Sequence, residues 1–283
     1  MDFLLYWPTL AQITFVLIAF SGVSVLGLYL VRVLVPLERL KQNHEVAGFT
    51  FGVLGAFYGL LLAFVIVAAW ERYDRADERV QGEAMALTSL YRLSRGFGEP
   101  VASDMQRAVR AYTDRLIEVE WPGMAEEKSF DDSIGALDLW KIVAGYQPND
   151  SRQVMLVDKS FDQLEQISQD LTLRYLYCRE NLPSVVWLVI YAGLLITIGF
   201  SYFFGLETFI SQALMCAVFS SLLGLTILAI LELAHPYQGT VTVSNEPFKY
   251  ALLRMDKMDR GAFGDAGDHS RTASSDRAES ARR

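Results

Sequence analysis

The stretch that decides the fold lies at residues 46–70 and reads VAGFTFGVLGAFYGLLLAFVIVAAW, without a single Asp, Glu, Lys or Arg. Three further stretches are equally free of charge, at residues 3–31, 181–206 and 208–231. An α-helix crosses the hydrocarbon core of a bilayer with ~20 apolar residues, and each stretch reaches that length. The sequence therefore predicts an all-α protein with four transmembrane helices. It excludes an ordinary soluble enzyme, a secreted disulfide scaffold and a nucleic-acid-binding domain.

The polar parts of the chain divide it into predicted regions. A charged segment with helical apolar periodicity separates span two from span three, so we expect a helical cytoplasmic bundle inserted between them. The end of the chain is rich in Gly, Ser, Asp and Arg, a composition typical of disorder. The predicted regions are spans one and two at 1–70, the cytoplasmic helical domain at 71–182, spans three and four at 183–234, a short extended and helical segment at 235–260, and a disordered tail at 261–283.

The distribution of charge predicts the orientation in the lipid bilayer. The chain carries 25 Lys and Arg against 33 Asp and Glu, a net charge of −8, which disfavours nucleic acid as a partner. Basic residues near the spans are more numerous on the side of the central segment, so the N-terminus, central domain and C-terminus are expected in the cytoplasm. The residues compared are Arg72, Arg75, Arg79, Arg174, Arg179, Lys249 and Arg254 on that side, and Arg32, Arg39 and Lys41 on the other.

The central segment predicts three further helical stretches. After Trp70 the apolar spacing of three and four continues without Pro or Gly, so the span-two helix is expected to run on to Gly96. A second helix is expected from Val101 to a stop at Trp121-Pro122-Gly123, and a short one around 131–143. The last helix has a heptad-like seam that packs within one bundle or between subunits. The seam consists of Val157, Phe161, Leu164, Ser168, Leu171, Tyr175, Cys178 and Leu182.

No catalytic or metal-binding pattern stands out in the sequence. It has no glycine-rich phosphate loop, no His-x-x-x-His pair and no Cys-x-x-Cys motif. The histidines are scattered, and Cys178 and Cys216 are too few for a disulfide framework. We therefore expect no cofactor, no metal site and no enzymatic activity.

Span two carries two patterns of interest. Its glycines form two Gly-x-x-x-Gly pairs, which favour close packing between membrane helices. A second set of apolar residues forms roughly one stripe of the helix, which is either a packing surface or a hydrophobic constriction that gates a pore by dewetting. The glycines are Gly48, Gly52, Gly55 and Gly59, and the stripe is Phe49, Val53, Phe57, Leu60 and Phe64.

Several motifs resemble one known family. The runs Gly55-Ala56-Phe57-Tyr58-Gly59 and Ala69-Trp70-Glu71-Arg72-Tyr73 and the motif His235-Pro236-Tyr237-Gln238-Gly239 after the last span are similar to the bestrophin-like domain family of bacterial membrane proteins. Pro236 and Gly239 are the most specific positions of that motif. The resemblance implies an inner-membrane location and a distant relation to the bestrophins, anion channels that form pentamers. It makes Phe57 a candidate for the hydrophobic neck, whereas the calcium-binding acidic cluster of animal bestrophins has no counterpart.

Three functional hypotheses follow. The first is a homo-oligomeric channel for small ions such as chloride, with span two lining the pore. The second is a non-conducting scaffold or signalling protein whose cytoplasmic helices bind a partner. The third, a proton-channel stator, is disfavoured because such a protein needs an ionisable group inside the membrane, and every charge here lies near a span end.

Overall fold

A computed structural model describes residues 2–35, 44–125, 133–179, 182–204 and 208–261. The predicted all-α class is confirmed, because these residues form helices and turns and no strand. A 3₁₀ turn at Asp2–Tyr6 comes first, and a π-helical turn at Leu116–Glu120 joins the third helix to the fourth. The α-helices are α1 (Thr9–Leu34), α2 (His44–Ser94), α3 (Val101–Arg115), α4 (Trp121–Ala125), α5 (Ser133–Ala144), α6 (Ser151–Arg179), α7 (Ser184–Ser201), α8 (Phe209–Ala234) and α9 (Glu246–Asp259).

Four helical stretches in the described part of the chain are long and apolar enough to cross a membrane, as the sequence predicted. They are Thr9–Leu34, Ala47–Ser94, Phe209–Ala234 and the stretch Ser151–Ser201, which comprises α6 and α7 on either side of residues outside the description. The predicted continuation of span two is also confirmed, since α2 is unbroken from His44 to Ser94. The predicted disordered tail beyond Gly261, the loop at 36–43 and the hairpin at 205–207 lie outside the described residues.

The chain forms two compact units. Unit 1 comprises Met1–Ala76 and Tyr177–Val243, and unit 2 comprises Asp77–Leu176 and Ser244–Arg283. In unit 1, α1 packs along α8, and small polar side chains lie between the two helices. The hydroxyl oxygens of Ser21 and Ser221 are 2.7 Å apart, and the Ser220 hydroxyl donates to the Phe20 carbonyl at 3.2 Å. Small residues of this kind allow membrane helices to approach closely.

Unit 2 has an apolar core of the kind found in soluble helical domains. Its buried side chains come from α2, α3, α5, α6 and α9, and include Leu87, Met105, Leu139, Ile167 and Phe248. Burial of each such side chain from water stabilises the fold by roughly 1.5–3 kcal/mol. The amphipathic face of each helix thus accounts for its position in this unit.

Two features of unit 2 differ from the prediction. The second helix does not stop at Trp121-Pro122-Gly123: the chain passes through the π-helical turn and continues as α4 to Ala125. Pro122 has no backbone N–H, so it donates no helical hydrogen bond where α4 follows directly on the π-helical turn. The ring of Trp121 packs on Phe248, with centroids 5.9 Å apart, and this contact holds the turn against α9.

The predicted seam of α6 is only partly buried within the single chain. Leu164 and Leu171 are buried, but the other described members of the seam are partly exposed. Ser160, Asp170 and Arg174 are buried instead. Heptad spacing predicts the seam, whereas the face that is buried within the chain also includes polar side chains that find partners inside the unit.

Candidate functional site

One face of α2 is fixed against α7 inside unit 1. Tyr58 is buried, and its hydroxyl donates a hydrogen bond to the Ile190 carbonyl at 2.8 Å. Its ring lies so close to Gly193 that a Cβ at that position would overlap ring carbons. Leu62, one turn further along α2, belongs to the same core as Ile190 and Leu194. These contacts set the rotation of α2 about its own axis.

The rotation leaves the predicted pore-lining stripe open. Phe49, Phe57 and Phe64 expose 77%, 71% and 68% of their surface, and Val53 and Leu60 are also exposed. The five residues recur at spacings of three and four, so they form one face of α2. We call this set the α2 stripe. Among the described residues of one chain, no helix covers the α2 stripe, so lipid, another copy of the chain or a pore must lie beside it. The role of the stripe in a pore remains a prediction.

An apolar groove of about 830 Å³ runs beside the α2 stripe. Among the described residues, its walls are aliphatic and aromatic side chains of α2 and α7, with hydroxyls from Thr50, Tyr58 and Thr197 and no charged group. The Thr197 hydroxyl donates a hydrogen bond to the Gly193 carbonyl at 2.7 Å, and the Tyr58 hydroxyl donates to the Ile190 carbonyl. The surface around the stripe is therefore apolar and carries no fixed charge.

The predicted packing glycines lie on α2 without close neighbours in their own chain. A Cβ built on Gly52, Gly55 or Gly59 meets no described atom within 4 Å, and one on Gly48 comes only to 3.9 Å from Phe204. Their proposed role in helix packing thus remains a prediction for contacts between chains. Close packing inside unit 1 occurs at other glycines, which no Gly-x-x-x-Gly pattern marks: Gly27 against Tyr202, Gly193 against Tyr58, and Gly224 against Phe20.

The predicted motif after the last span forms a buried turn. The carboxylate of Glu232, at the end of α8, accepts hydrogen bonds from the backbone N–H of Thr240 at 2.9 Å and of Val241 at 3.1 Å. Gly239 has φ +89°, and a Cβ there would lie 2.6 Å from the Glu232 carboxylate. The carbonyl of Pro236 accepts from the N–H of Val243 at 2.8 Å. Both marked positions, Pro236 and Gly239, thus shape one turn around Glu232.

The sequence profile of the Bestrophin-like domain matches residues 18–248, which include the α2 stripe and the Glu232 turn. The chain belongs to the Bestrophin-like domain family. No curated protein sequence matches it.

Solved structures share the fold of this Bestrophin-like chain. A bacterial bestrophin homologue from Klebsiella pneumoniae aligns with a TM-score of 0.62 and 14% identity, over 85% of this chain and 97% of the homologue. Two single-residue variants of a Klebsiella pneumoniae homologue align with a TM-score of 0.64: one at 13% identity over 86% and 99% of the two chains, the other at 14% over 89% and 98%. At this identity the likeness concerns the fold.

Unit 2 of the Bestrophin-like chain contains a buried charged cluster that the sequence did not reveal. Arg174 donates from Nε to Glu83 at 2.9 Å and from Nη2 to Glu120 at 3.2 Å, and Tyr112 donates its hydroxyl to Glu83 at 2.6 Å. All four side chains are buried. Glu83 and Arg174 are separated by 91 positions, so no local spacing could have paired them. We call these four residues the Arg174 cluster.

The described residues of this Bestrophin-like chain contain no group of three or more His, Cys, Asp or Glu side chains that could hold a metal ion. Within the described part of the chain, neither Cys178 nor Cys216 forms a disulfide bond. The charged side chains of the Arg174 cluster form ion pairs with one another. Arg174 Nη1 also donates to the sulfur of Met124 at 3.0 Å. Among the described residues, unit 1 thus presents an exposed apolar face on α2, and unit 2 contains buried ion pairs.

Proposed function

We propose that the protein is a bestrophin-type ion channel built from several identical copies, in which the α2 stripe lines a hydrophobic neck. The observation that carries the proposal is the exposure of a whole aromatic and aliphatic face on a helix whose opposite face is fixed by Tyr58. Membership of the Bestrophin-like domain family supports the same function.

An apolar neck suits a gated pore for physical reasons. A narrow passage lined by Phe and Leu side chains loses its water when it closes, and ions then cannot cross it without their hydration shells. Small rearrangements of Phe57 or Phe64 could open such a passage. Among the described residues, no charged side chain lines the groove beside the stripe, so no fixed charge there would hold an ion in place. We propose that chloride and similar small anions are the permeant ions.

The remaining assignments are part of the same proposal. We propose a pentamer in the bacterial inner membrane, with the N-terminus, the helical bundle at 71–182 and the C-terminus in the cytoplasm. The bundle is inserted between spans two and three, and it would surround the ion path on that side. The other proposed regions are 1–70, 183–234, 235–260 and 261–283.

The first test is ion flux through liposomes that contain the purified protein. We expect flux above that of empty liposomes, a reversal potential under a chloride gradient that reports anion selectivity, and altered conductance in Phe57→Ala. A folded oligomer that carries no flux would contradict the channel and would favour the non-conducting scaffold.

A matched pair of variants separates pore lining from general membrane effects. Leu60 on α2 and Leu26 on α1 expose 55% and 59% of their surface in the single chain. Truncation of either to Ala removes the same atoms from an equally open position. We expect Leu60→Ala to change conductance or gating and Leu26→Ala to leave both unchanged. Equal effects of the two variants would argue that the α2 stripe faces lipid.

A further inference from the structure

Unit 2 has an exposed surface where α9 runs beside α2. Met85, Tyr250 and Leu253 each expose more than half of their surface there, although all three side chains are largely apolar. A groove of about 520 Å³ lies in this surface and is lined by both helices, with Met85, Tyr250 and Arg254 among its walls. An exposed apolar patch with a polar rim is typical of a site that contacts another molecule.

The α9 side of this surface is basic. The guanidinium of Arg254 lies over the ring of Tyr250, 5.5 Å from its centroid. Lys257 follows Arg254 at a spacing of three, on the same side of the helix. Glu246, which also lines the groove, is already paired with Lys249 at 2.9 Å. No carboxylate among the described residues lies within ion-pair distance of Arg254 or Lys257.

Helix α2 adds a further cation to the surface. Arg92 is exposed, follows Met85 by two helical turns on the same side of α2, and forms no ion pair with any described residue. The hydroxyl of the adjacent Tyr91 donates to Asp259 at 2.8 Å, which brings this end of α2 beside the end of α9. We call the surface the basic face. It consists of Met85, Arg92, Tyr250, Leu253, Arg254 and Lys257.

A second exposed surface of unit 2 lies on α6 and is acidic. Val154 is exposed, and Asp158 and Glu165 follow at spacings of four and seven, so all three lie on one side of the helix. Phe161, between the two carboxylates, packs on Trp140 of α5 with ring centroids 5.5 Å apart. Within the described part of the chain, neither Asp158 nor Glu165 forms an ion pair. We call Val154, Asp158, Phe161 and Glu165 the acidic face.

The two faces are complementary in chemistry. Each combines apolar side chains with charges that have no counterion among the described residues of their own chain, and the charges of the two faces have opposite sign. Burial of the apolar side chains would favour association, and the charges would select the partner and its orientation. Because both faces are exposed in the same chain, each needs a second molecule to cover it.

We propose that the basic face of one copy binds the acidic face of a second copy, which makes unit 2 an assembly interface. The inference rests on the proposed function, in which several identical copies form the channel. Contact between two unlike faces is heterologous, so each copy has one face for each of two neighbours. Repetition of such a contact closes a ring when the rotation between copies allows it. A ring is the arrangement that a shared central pore requires.

Disulfide cross-linking in membranes tests the contact without any need for ion flux. The full-length chain contains Cys178→Ser, Leu253→Cys and Val154→Cys, and the membranes are oxidised before a non-reducing gel. We expect a ladder of cross-linked multimers, which either new cysteine alone should not form. Val119→Cys in place of Val154→Cys is the matched control: the two valines expose 52% and 54% of their surface, but Val119 lies outside both faces. The control should form no ladder.

Exchange of charge between the faces tests the pairing itself. In the background of the two cysteines, Arg254→Glu with Lys257→Glu should largely abolish the ladder, because like charges then meet across the contact. Asp158→Lys with Glu165→Lys should do the same. A chain with all four changes restores the attraction and should recover the ladder. Lys159→Glu, on another side of α6, should leave it unchanged.

The outcomes separate this interface from the channel itself. An intact oligomer on a native gel that forms no ladder, or a charge exchange that does not recover it, overturns the inference and leaves the proposed channel standing. Such a result would assign the basic face to an acidic partner of another kind. Dimers from Leu253→Cys alone would mean that the basic face meets its own copy, and they also overturn the inference. A protein that is monomeric in membranes overturns both proposals. The cysteine pair replaces only exposed side chains, so it decides the question even if a charge variant does not fold.

Discussion

Helix α2 behaves in opposite ways in its two halves. In unit 1 its open face is apolar, with Phe49, Phe57 and Phe64 exposed, whereas in unit 2 its buried face includes the charged Glu83. Water would favour the reverse arrangement in both places. The comparison teaches that the two halves meet different surroundings: the first requires lipid or other copies of the chain, and the second supplies its own counterions.

The largest effect is expected where the buried charge loses its partner. Arg174→Met leaves Glu83 and Glu120 buried without their shared cation, and breaking a buried ion pair typically costs about 3–5 kcal/mol of stability. Thermal unfolding in detergent should show the loss as a markedly lower Tm. Lys159→Met, on the exposed side of the same helix, should leave Tm nearly unchanged. If both variants have the same Tm, the buried ion pairs of Arg174 do not stabilise unit 2.

The fixed face of α2 is the next place to test. Gly193→Ala forces a methyl group into the ring of Tyr58, and overpacking of this kind costs about 1–3 kcal/mol. Gly52→Ala places the same group in open space, so the fold of the single chain should tolerate it. Gly193→Ala should therefore have a lower Tm than Gly52→Ala. A lower Tm for Gly52→Ala, with dissociation of the oligomer, would instead locate the predicted glycine packing between chains.

The turn after α8 gives a smaller expected effect. Gly239→Ala would strain a backbone with φ +89° by about 1–2 kcal/mol and would also crowd Glu232. Gly261→Ala carries similar strain at φ +74° but meets no described neighbour. The difference between their unfolding midpoints isolates the contact with Glu232. Equal midpoints would mean that the carboxylate moves aside freely.

The sequence predicted the helices well because hydropathy and helical spacing are local properties. The charge-free stretches located the spans, and the unbroken spacing after Trp70 predicted the full length of α2. It could not predict which face of α2 is fixed, since Tyr58 and Phe57 are adjacent aromatics. The sequence also did not predict the Arg174 cluster. Glu83 has the local pattern of a solvated helix residue, and its partner Tyr112 lies 29 positions away in the chain.

The smallest expected effect concerns the attachment of α9. Although partial burial opposes it, hydrogen bonds from Tyr91, Arg110 and Arg95 hold the pKa of Asp259 below its ordinary value. A lowered carboxyl pKa stabilises the ionised state, and that contribution is lost as the pH falls through the folded pKa. Hydrogen exchange of α9 should therefore speed up below about pH 4. The acid response should be absent in Asp259→Asn and should weaken in high salt.

The open face of α2 allows the most direct test of the channel account. A cysteine is introduced by Phe57→Cys in a Cys178→Ser background, and the same substitution at Leu26 serves as the control; the native Cys216 is buried. Membrane-embedded protein is then treated with a charged, water-soluble thiol reagent while conductance is recorded. The account predicts that Phe57→Cys is modified and its conductance falls, while Leu26→Cys does not react. Reaction of Phe57→Cys only with lipid-soluble reagents, and with no change in conductance, would contradict it.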